Sequence, residues 1–490
     1  MRALYDADAI RAAEAPLLAS LPAGTLMQRA ATALARRCAQ LVGRTYGARI
    51  VLLVGSGNNG GDALFAGAML ARRGSRVDAL LVADSAHAEG QAAFVAAGGR
   101  CVPAGGDDDA RLFAHADLVI DGMLGIGASG ALRPAYARLA QLAAAGDAVV
   151  VAVDVPSGVD ASSGTVEGTA VRADVTVTFG GGKTGLLVAP GADYAGAVEV
   201  VEIGLGLPEA SAYALDADDV DALLPAPDTE SDKYARGVLG LVAGSDRYTG
   251  AAVMAVGGAL ATGVGMVRFV GAAHPAELVR ARWPEVVVSV AERGDVEALS
   301  AAGRVQAWAV GSGLGTDAAA AATVRAVLQS EEPVVVDADA LTVVAEHPEW
   351  VRERTGPTLL TPHAGEFARL VGAKRDEVEA QRLRHVTAAA RDLRATVLLK
   401  GSSTIVADPD GRVRINTAQT PFLASAGSGD VLTGVCGALV AGGLSTLDAG
   451  AAAAFLHGLA GLLAAGEPAA PLTPMDVVDA LPRAVRAVRG

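Results

Sequence analysis

From Arg49 onward, short apolar runs alternate with longer, alanine-rich stretches of helical length. RIVLLVG (49–55), RVDALLV (76–82), DLVIDG (117–122) and DAVVVAVDVPSG (147–158) are the runs, and segments 62–73, 86–97 and 134–145 separate them. A run that is apolar at nearly every position, not at alternate ones, suits a strand covered on both faces. Such strands separated by helices predict a parallel sheet with crossover helices. A second series follows: GVLGLVAGS (237–245), VQAWAVGSGLG (305–315), EPVVVDADAL (332–341), PTLLTPHAGE (357–366) and ATVLLKGSS (395–403). It too is α/β. Between the two, residues 205–232 hold Pro208, Pro225 and Pro227 and the acids Asp216, Asp218, Asp219 and Asp221, which reads as a boundary with room for one short helix. At 490 residues the chain exceeds what one core supports. Two domains are expected, 1–212 and 213–490.

Composition narrows the class. The chain is 51% hydrophobic and 19% charged, but much of the apolar share is alanine. Thr249–Val267, Val431–Leu447 and Ala449–Gly466 are uncharged or nearly so and about as long as a bilayer crossing, yet they are built of Gly and Ala more than of Leu, Ile and Phe, so no membrane span is expected. A net charge of −14 argues against nucleic acid as a partner. Cys38, Cys101 and Cys436 are widely spaced, without the pattern of a disulfide framework or a zinc site. Met1–Arg11 carries Asp6 and Asp8 and lacks the apolar segment of a secretory signal, so a cytoplasmic location is expected.

The densest chemistry lies at 424–434, Ala-Ser-Ala-Gly-Ser-Gly-Asp-Val-Leu-Thr-Gly, ahead of an apolar helical run. Small residues let the amides of Ala426–Gly429 converge at a helix start as an anion hole, with Asp430 in the first turn. An acceptor hydroxyl in phosphoryl transfer needs such a carboxylate to take its proton. By itself the tetrapeptide fits a helix cap equally well. Other strand ends add to it: Lys400 with Gly401, Ser402, Ser403 and Thr404; His363 with Glu366; the glycine turn 311–315; and Asp337 with Asp339. Each alone would pass for a strand-end or turn residue. Together these motifs resemble the ADP/ATP-dependent NAD(P)H-hydrate dehydratases, a ribokinase-like α/β family, over residues 213–490. The segments 233–237, 244–252 and 456–458 fit as well. The resemblance implies nucleotide binding at Lys400, Gly401, Ser402, Ser403, Thr404 and Gly429. It further implies contact between the hydrated dinucleotide and Ala252, Gly313, His363 and Asp430. Mg2+ would accompany ATP or ADP.

In the first half, VGSGNNGGD (54–62) contains G-x-G-x-x-G after a strand and before a helix, with Asp84 at the spacing of a ribose-binding acid. Asn58, Asn59 and Asp62 add polar oxygens that an ordinary dinucleotide loop lacks. Asn59, Asp121 and Ser157, at three strand ends, offer only hard oxygen ligands, suited to an alkali or alkaline-earth ion; each could equally cap a turn. This half is similar to the NAD(P)H-hydrate epimerases, which have a Rossmann-like three-layer α/β/α fold. The likeness implies substrate contact at Asn58, Asn59, Gly60, Gly61 and Asp62, at Gly125, Ile126, Gly127, Ala128, Ser129, Gly130 and Ala131, and at Asp154. It places potassium on Asn59, Asp121 and Ser157 and makes Lys183 the acid/base partner of Asp154. Ile126 and Ala128 depart from the family's glycine loop without consequence for the chemistry. Both resemblances in this order imply repair of hydrated NADH and NADPH: R and S hydrates are interconverted first, then the S form is dehydrated. A homo-oligomer is expected. The residues alone leave open a small-molecule kinase in the second half, and a dehydrogenase or a dinucleotide-sensing module in the first.

Overall fold

The computed structural model describes residues 1–106, 108–225 and 233–490; Pro227, within the expected boundary, lies outside the described residues. The chain forms two compact units, Ala3–Ser211 and Ala212–Gly490, the latter joined by Met1–Arg2.

In the N-terminal unit seven parallel strands lie side by side in the order Arg100–Pro103, Arg76–Leu81, Arg49–Val54, Leu118–Gly122, Val149–Val153, Val175–Phe179 and Ala197–Val201. Numbered along the chain, that order is 3-2-1-4-5-6-7. The reversal falls between Arg49–Val54 and Leu118–Gly122. The four runs read from the sequence are strands, and Asn58–Arg72, Ala88–Ala96 and Pro134–Ala145 are helices. The sheet separates two apolar clusters, one around Leu34, Leu52, Leu64 and Phe94, the other around Leu53, Phe113 and Leu139. Covering both faces in this way is what forces the unbroken apolar runs.

The C-terminal unit repeats the logic. Seven parallel strands run in the order Val287–Val290, Met266–Gly271, Val238–Val242, Ala307–Val310, Val334–Val336, Thr358–Leu360 and Thr396–Leu399. Thr404–Ala407 and Val413–Asn416 extend it as antiparallel strands, and Ala212–Ala214 pairs in parallel with the last of these. The order reverses between Val238–Val242 and Ala307–Val310, the position at which ligands enter open α/β sheets. The short helix expected in the boundary is Ala217–Leu223, started by a capping box between Asp216 and Asp219.

Glycine and alanine bring the helices of this unit close together. A Cβ on Gly434 would sit 2.0 Å from the Ala255 carbonyl oxygen, and one on Gly258 would sit 2.3 Å from that of Val431. Helices Ser428–Ala441 and Thr249–Thr262 therefore pack nearly backbone to backbone. Helix Thr446–Ala465 is long and apolar enough to cross a membrane, but 67% of its most apolar window is buried inside the protein, against the same core.

Candidate functional site

In the N-terminal unit, the loops after the two strands at the reversal border a cavity of about 1140 Å³. Asn58, Asn59, Asp62, Gly125, Ile126, Gly127, Ala128 and Asp154 line it. Gly60 and Gly61 do not: a Cβ on Gly60 would meet the Gly55 carbonyl oxygen at 2.2 Å, and one on Gly61 would meet His87 and Met27. Their lack of a side chain lets the first helical turn close under the loop. Ser129, Gly130 and Ala131 are exposed and lie outside the lining, as does Asp84.

Asp154 sits at the end of strand Val149–Val153 with φ +66, a left-handed conformation that costs a non-glycine residue energy. The position is held by what its side chain does. Oδ1 accepts from Lys183 Nζ at 2.6 Å, Thr178 Oγ1 at 3.0 Å and Phe179 N at 3.2 Å. The ammonium of Lys183 is 1% exposed and also donates to the Phe179 carbonyl at 2.6 Å. Glu14, Asp62 and Glu89 line the same cavity. Burial, then the charges of Asp154 and Glu14, push Asp62 well above the carboxylate range, and its Oδ1 has no hydrogen-bond partner. Glu14 is raised by burial and by Asp154, with Lys183 and Arg11 pulling it back. No motif marks Glu14 in the sequence, since it stands in a helix ahead of the first recognisable loop.

Asn59, Asp121 and Ser157 meet around the backbone of Leu124. Asn59 Nδ2 donates to its carbonyl at 2.9 Å, its N–H donates to Ser157 Oγ at 3.0 Å, and Asp121 accepts from Ser157 Oγ at 2.7 Å and Ser157 N at 2.8 Å. Burial pushes the Asp121 carboxyl up to about 6, against those hydrogen bonds and one from Met123 N. A buried carboxylate without a cationic side chain, among neutral oxygens, matches the charge of a monovalent ion.

In the C-terminal unit Asp430 is the third residue of helix Ser428–Ala441. Burial and the neighbouring charge of Asp337 push its carboxyl up to about 6, opposed by the Ser312 hydroxyl and Lys400. Ser312, 1% exposed, approaches without reaching hydrogen-bond geometry. Of the amides expected to form the anion hole, that of Ser428 instead donates to the Ser425 carbonyl at 3.3 Å. That of Gly429 has no partner among the described residues, and neither has the amide of Asp430, which follows it. His457 braces the turn from behind, its Nε2 lying 3.0 Å from the Ser428 carbonyl and 3.1 Å from Ser428 Oγ. Burial pushes the imidazole down to about 4, so it is neutral near pH 7.

Lys400 is not aimed into open space. Its ammonium donates to Asp337 Oδ1 at 2.8 Å and lies 3.9 Å from Glu366, and a Cβ on Gly429 would be 3.3 Å from it. Burial opposes the charge, but Asp337, Glu366 and Asp430 outweigh burial and hold the lysine above its ordinary value. Asp337 also accepts from Thr361 at 2.8 Å and Thr433 at 2.7 Å. Its hub role was invisible in the sequence, because Thr433 and Lys400 reach it only through the fold. His363 caps helix Ala364–Val371: Nδ1 accepts from Gly365 N and Glu366 N, which leaves the proton on the exposed Nε2 side. Gly313 has φ +64 on the switch-point turn. Ala252 is fully buried beneath Gly244; in the turn 400–404, Ser403 and Thr404 are buried, Lys400 and Gly401 are half-buried and Ser402 is exposed.

A family model described as NAD(P)H-hydrate dehydratase matches residues 239–483, and one described as YjeF-related protein N-terminus matches residues 23–185. The chain is 49% identical over 456 residues, 92% of each protein, to the bifunctional NAD(P)H-hydrate repair enzyme Nnr of Mycobacterium tuberculosis. It is 47% identical over 494 residues to the Nnr of Mycobacterium leprae, covering 100% of this chain and 99% of that one. In fold the second half is similar to a ribokinase-like superfamily protein of Enterococcus faecalis, with a TM-score of 0.52 at 24% identity over 58% of this chain and 98% of that chain. Because both halves are matched in this order and the relatives are nearly half identical along almost their whole length, the chain belongs to the bifunctional NAD(P)H-hydrate repair enzymes.

Proposed function

We propose that residues 1–212 epimerise the R and S hydrates of NADH and NADPH, and that residues 213–490 dehydrate the S hydrate with ATP or ADP. The observation that carries the dehydratase chemistry is Asp430: a largely buried carboxylate at a helix start, beside unpaired amides, at the sheet's switch point. In our reading it takes the proton of the ring hydroxyl as that oxygen attacks the terminal phosphoryl group, and the Gly429 and Asp430 amides hold the transferring group. The resulting phosphate ester leaves with its C–O electron pair, pushed by the ring nitrogen. Loss of the adjacent ring proton then regenerates the reduced nicotinamide and free phosphate. Gly313 and His363 would flank the dinucleotide, with Ala252 supporting from behind. Lys400, shared with Asp337, would hold charge near the phosphates. Magnesium would come with the nucleotide, whose phosphate oxygens and waters suit it.

At the N-terminal cavity, Asp154, backed by the buried Lys183, is assigned the proton transfers that open and reclose the ring, and Asn58, Asn59, Asp62 and the 125–128 loop the substrate contacts. Gly60, Gly61 and residues 129–131 would shape those loops. Asn59, Asp121 and Ser157 would hold potassium. Asp121→Asn, which removes the only carboxylate of that set, should abolish the potassium dependence of ligand binding to the N-terminal unit. Wild-type binding across a potassium titration would remove the ion from the account. We further infer a cytoplasmic homo-oligomer.

The test of the whole is one assay. Acid-hydrated NADH with ATP or ADP should recover the absorbance of reduced nicotinamide and release one phosphate per turnover. Accumulation of a stable phosphorylated substrate would instead identify a kinase.

A further inference from the structure

The turn joining Thr396–Leu399 to Thr404–Ala407 rests on a buried guanidinium. Arg382, the first residue of helix Arg382–Leu393, is 1% exposed. Its Nη2 donates to the carbonyls of Leu399 at 3.3 Å, Lys400 at 3.0 Å and Ser403 at 3.2 Å, and Nη1 donates to Glu379 Oε2 at 2.6 Å. Gln419 Nε2 takes the Gly401 carbonyl at 2.6 Å. Gly401 lies against the guanidinium so closely that a Cβ there would be 2.2 Å from Nη2. Burying an arginine is costly unless its donors are used, and its Nε has no partner. The turn's carbonyls and one carboxylate are therefore what retain it.

Across a planar trans peptide, the carbonyl of one residue and the N–H of the next point in opposite directions. Drawing the Lys400 carbonyl in to Arg382 turns the Gly401 N–H outward, and drawing the Gly401 carbonyl in to Gln419 turns the Ser402 N–H outward. Neither N–H has a hydrogen-bond partner among the described residues. Adjacent outward amides of this kind form a concavity for an anion.

We propose that Arg382 and Gln419 are positioning residues that aim the Gly401 and Ser402 amides at a phosphate group of the adenine nucleotide. This rests on the reading that the turn takes the nucleotide. Neither side chain touches the ligand; they act through the peptide units.

The experiment uses the full chain, with ATP binding followed by calorimetry and steady-state rates measured with both substrates. Gln419→Ala, at a half-buried neutral residue, should weaken ATP binding and raise the KM for ATP about tenfold, the effect of losing the orientation of one charge-assisted contact. Arg382→Lys, which keeps the charge and loses the fork, should do at least as much. For both, the KM for the S hydrate and kcat at saturating ATP should stay within about twofold of wild type. If Arg382→Lys does not fold, Gln419→Ala decides alone. Wild-type ATP affinity in Gln419→Ala, or equal damage to both KM values, overturns the proposal and leaves the nucleotide site standing. Wild-type protein that binds no ATP overturns the nucleotide reading itself, and this proposal with it.

Discussion

Asp430→Asn is expected to slow dehydration of the S hydrate by roughly 10²- to 10⁴-fold, the loss typical of removing a general base, with ATP affinity near wild type. The same substitution should make the protein more stable at neutral pH. The folded carboxyl titrates at about 6 against an ordinary 3.8, so the folded state pays to ionise it. The sign follows from linkage. The protonated form is favoured by folding, so the penalty is absent below about 4, grows between 4 and 6, and is complete above 6. Removing the charge should therefore add up to about 3 kcal/mol above pH 6 and nothing near pH 3. In wild-type protein, kcat/KM for the S hydrate should fall as pH drops below about 6, because protonated Asp430 cannot accept the hydroxyl proton. A residue that served only as a helix cap would give the opposite pair of results: near-normal turnover and a loss of about 1 kcal/mol or less, since asparagine caps nearly as well as aspartate. Near-normal turnover in Asp430→Asn would falsify the mechanism. Thermal unfolding and initial rates on one preparation, across pH 4 to 8, separate the two.

The second large effect concerns Asp154. Asp154→Asn should abolish repair of the R hydrate, by roughly 10²-fold or more, while leaving conversion of the S hydrate with ATP unchanged. Asparagine is the informative replacement. It tolerates the left-handed backbone at φ +66, and its amide oxygen can still accept from Lys183. Asp154→Ala would strand an ammonium that is 1% exposed, at a cost of about 3–5 kcal/mol, and would confuse loss of chemistry with loss of the fold. R-hydrate conversion at the wild-type rate in Asp154→Asn would end the assignment. Loss of both activities would point to unfolding beyond the cavity.

How the chain divides between what is legible and what is not can be seen residue by residue. Apolar runs such as 49–55 and 334–336 fixed the strands, because a strand covered on both faces leaves little room for a polar side chain. The crossover lengths between them fixed parallel sheets, and the loops at their ends singled out Asp430 and the Asn59 segment as candidates, with Asp154 added by the family resemblance. These are local properties, set by burial and by the backbone that a few consecutive residues adopt. Strands Val175–Phe179 and Met266–Gly271 stand out less in the sequence, because their flanks give little contrast in so alanine-rich a chain. What only the tertiary structure decided is which groups meet. Lys400 lies 63 residues from the carboxylate that holds it, and Thr433 lies 96 from the same carboxylate. Arg382, one of three arginines on its helix, carries no signal in the sequence until the strand turn is laid across it. Ala252, a contact implied by the resemblance, lies fully buried beneath Gly244. Strand order brings such groups together, and strand order depends on which apolar faces pack best across the whole unit, a quantity that no window of sequence contains.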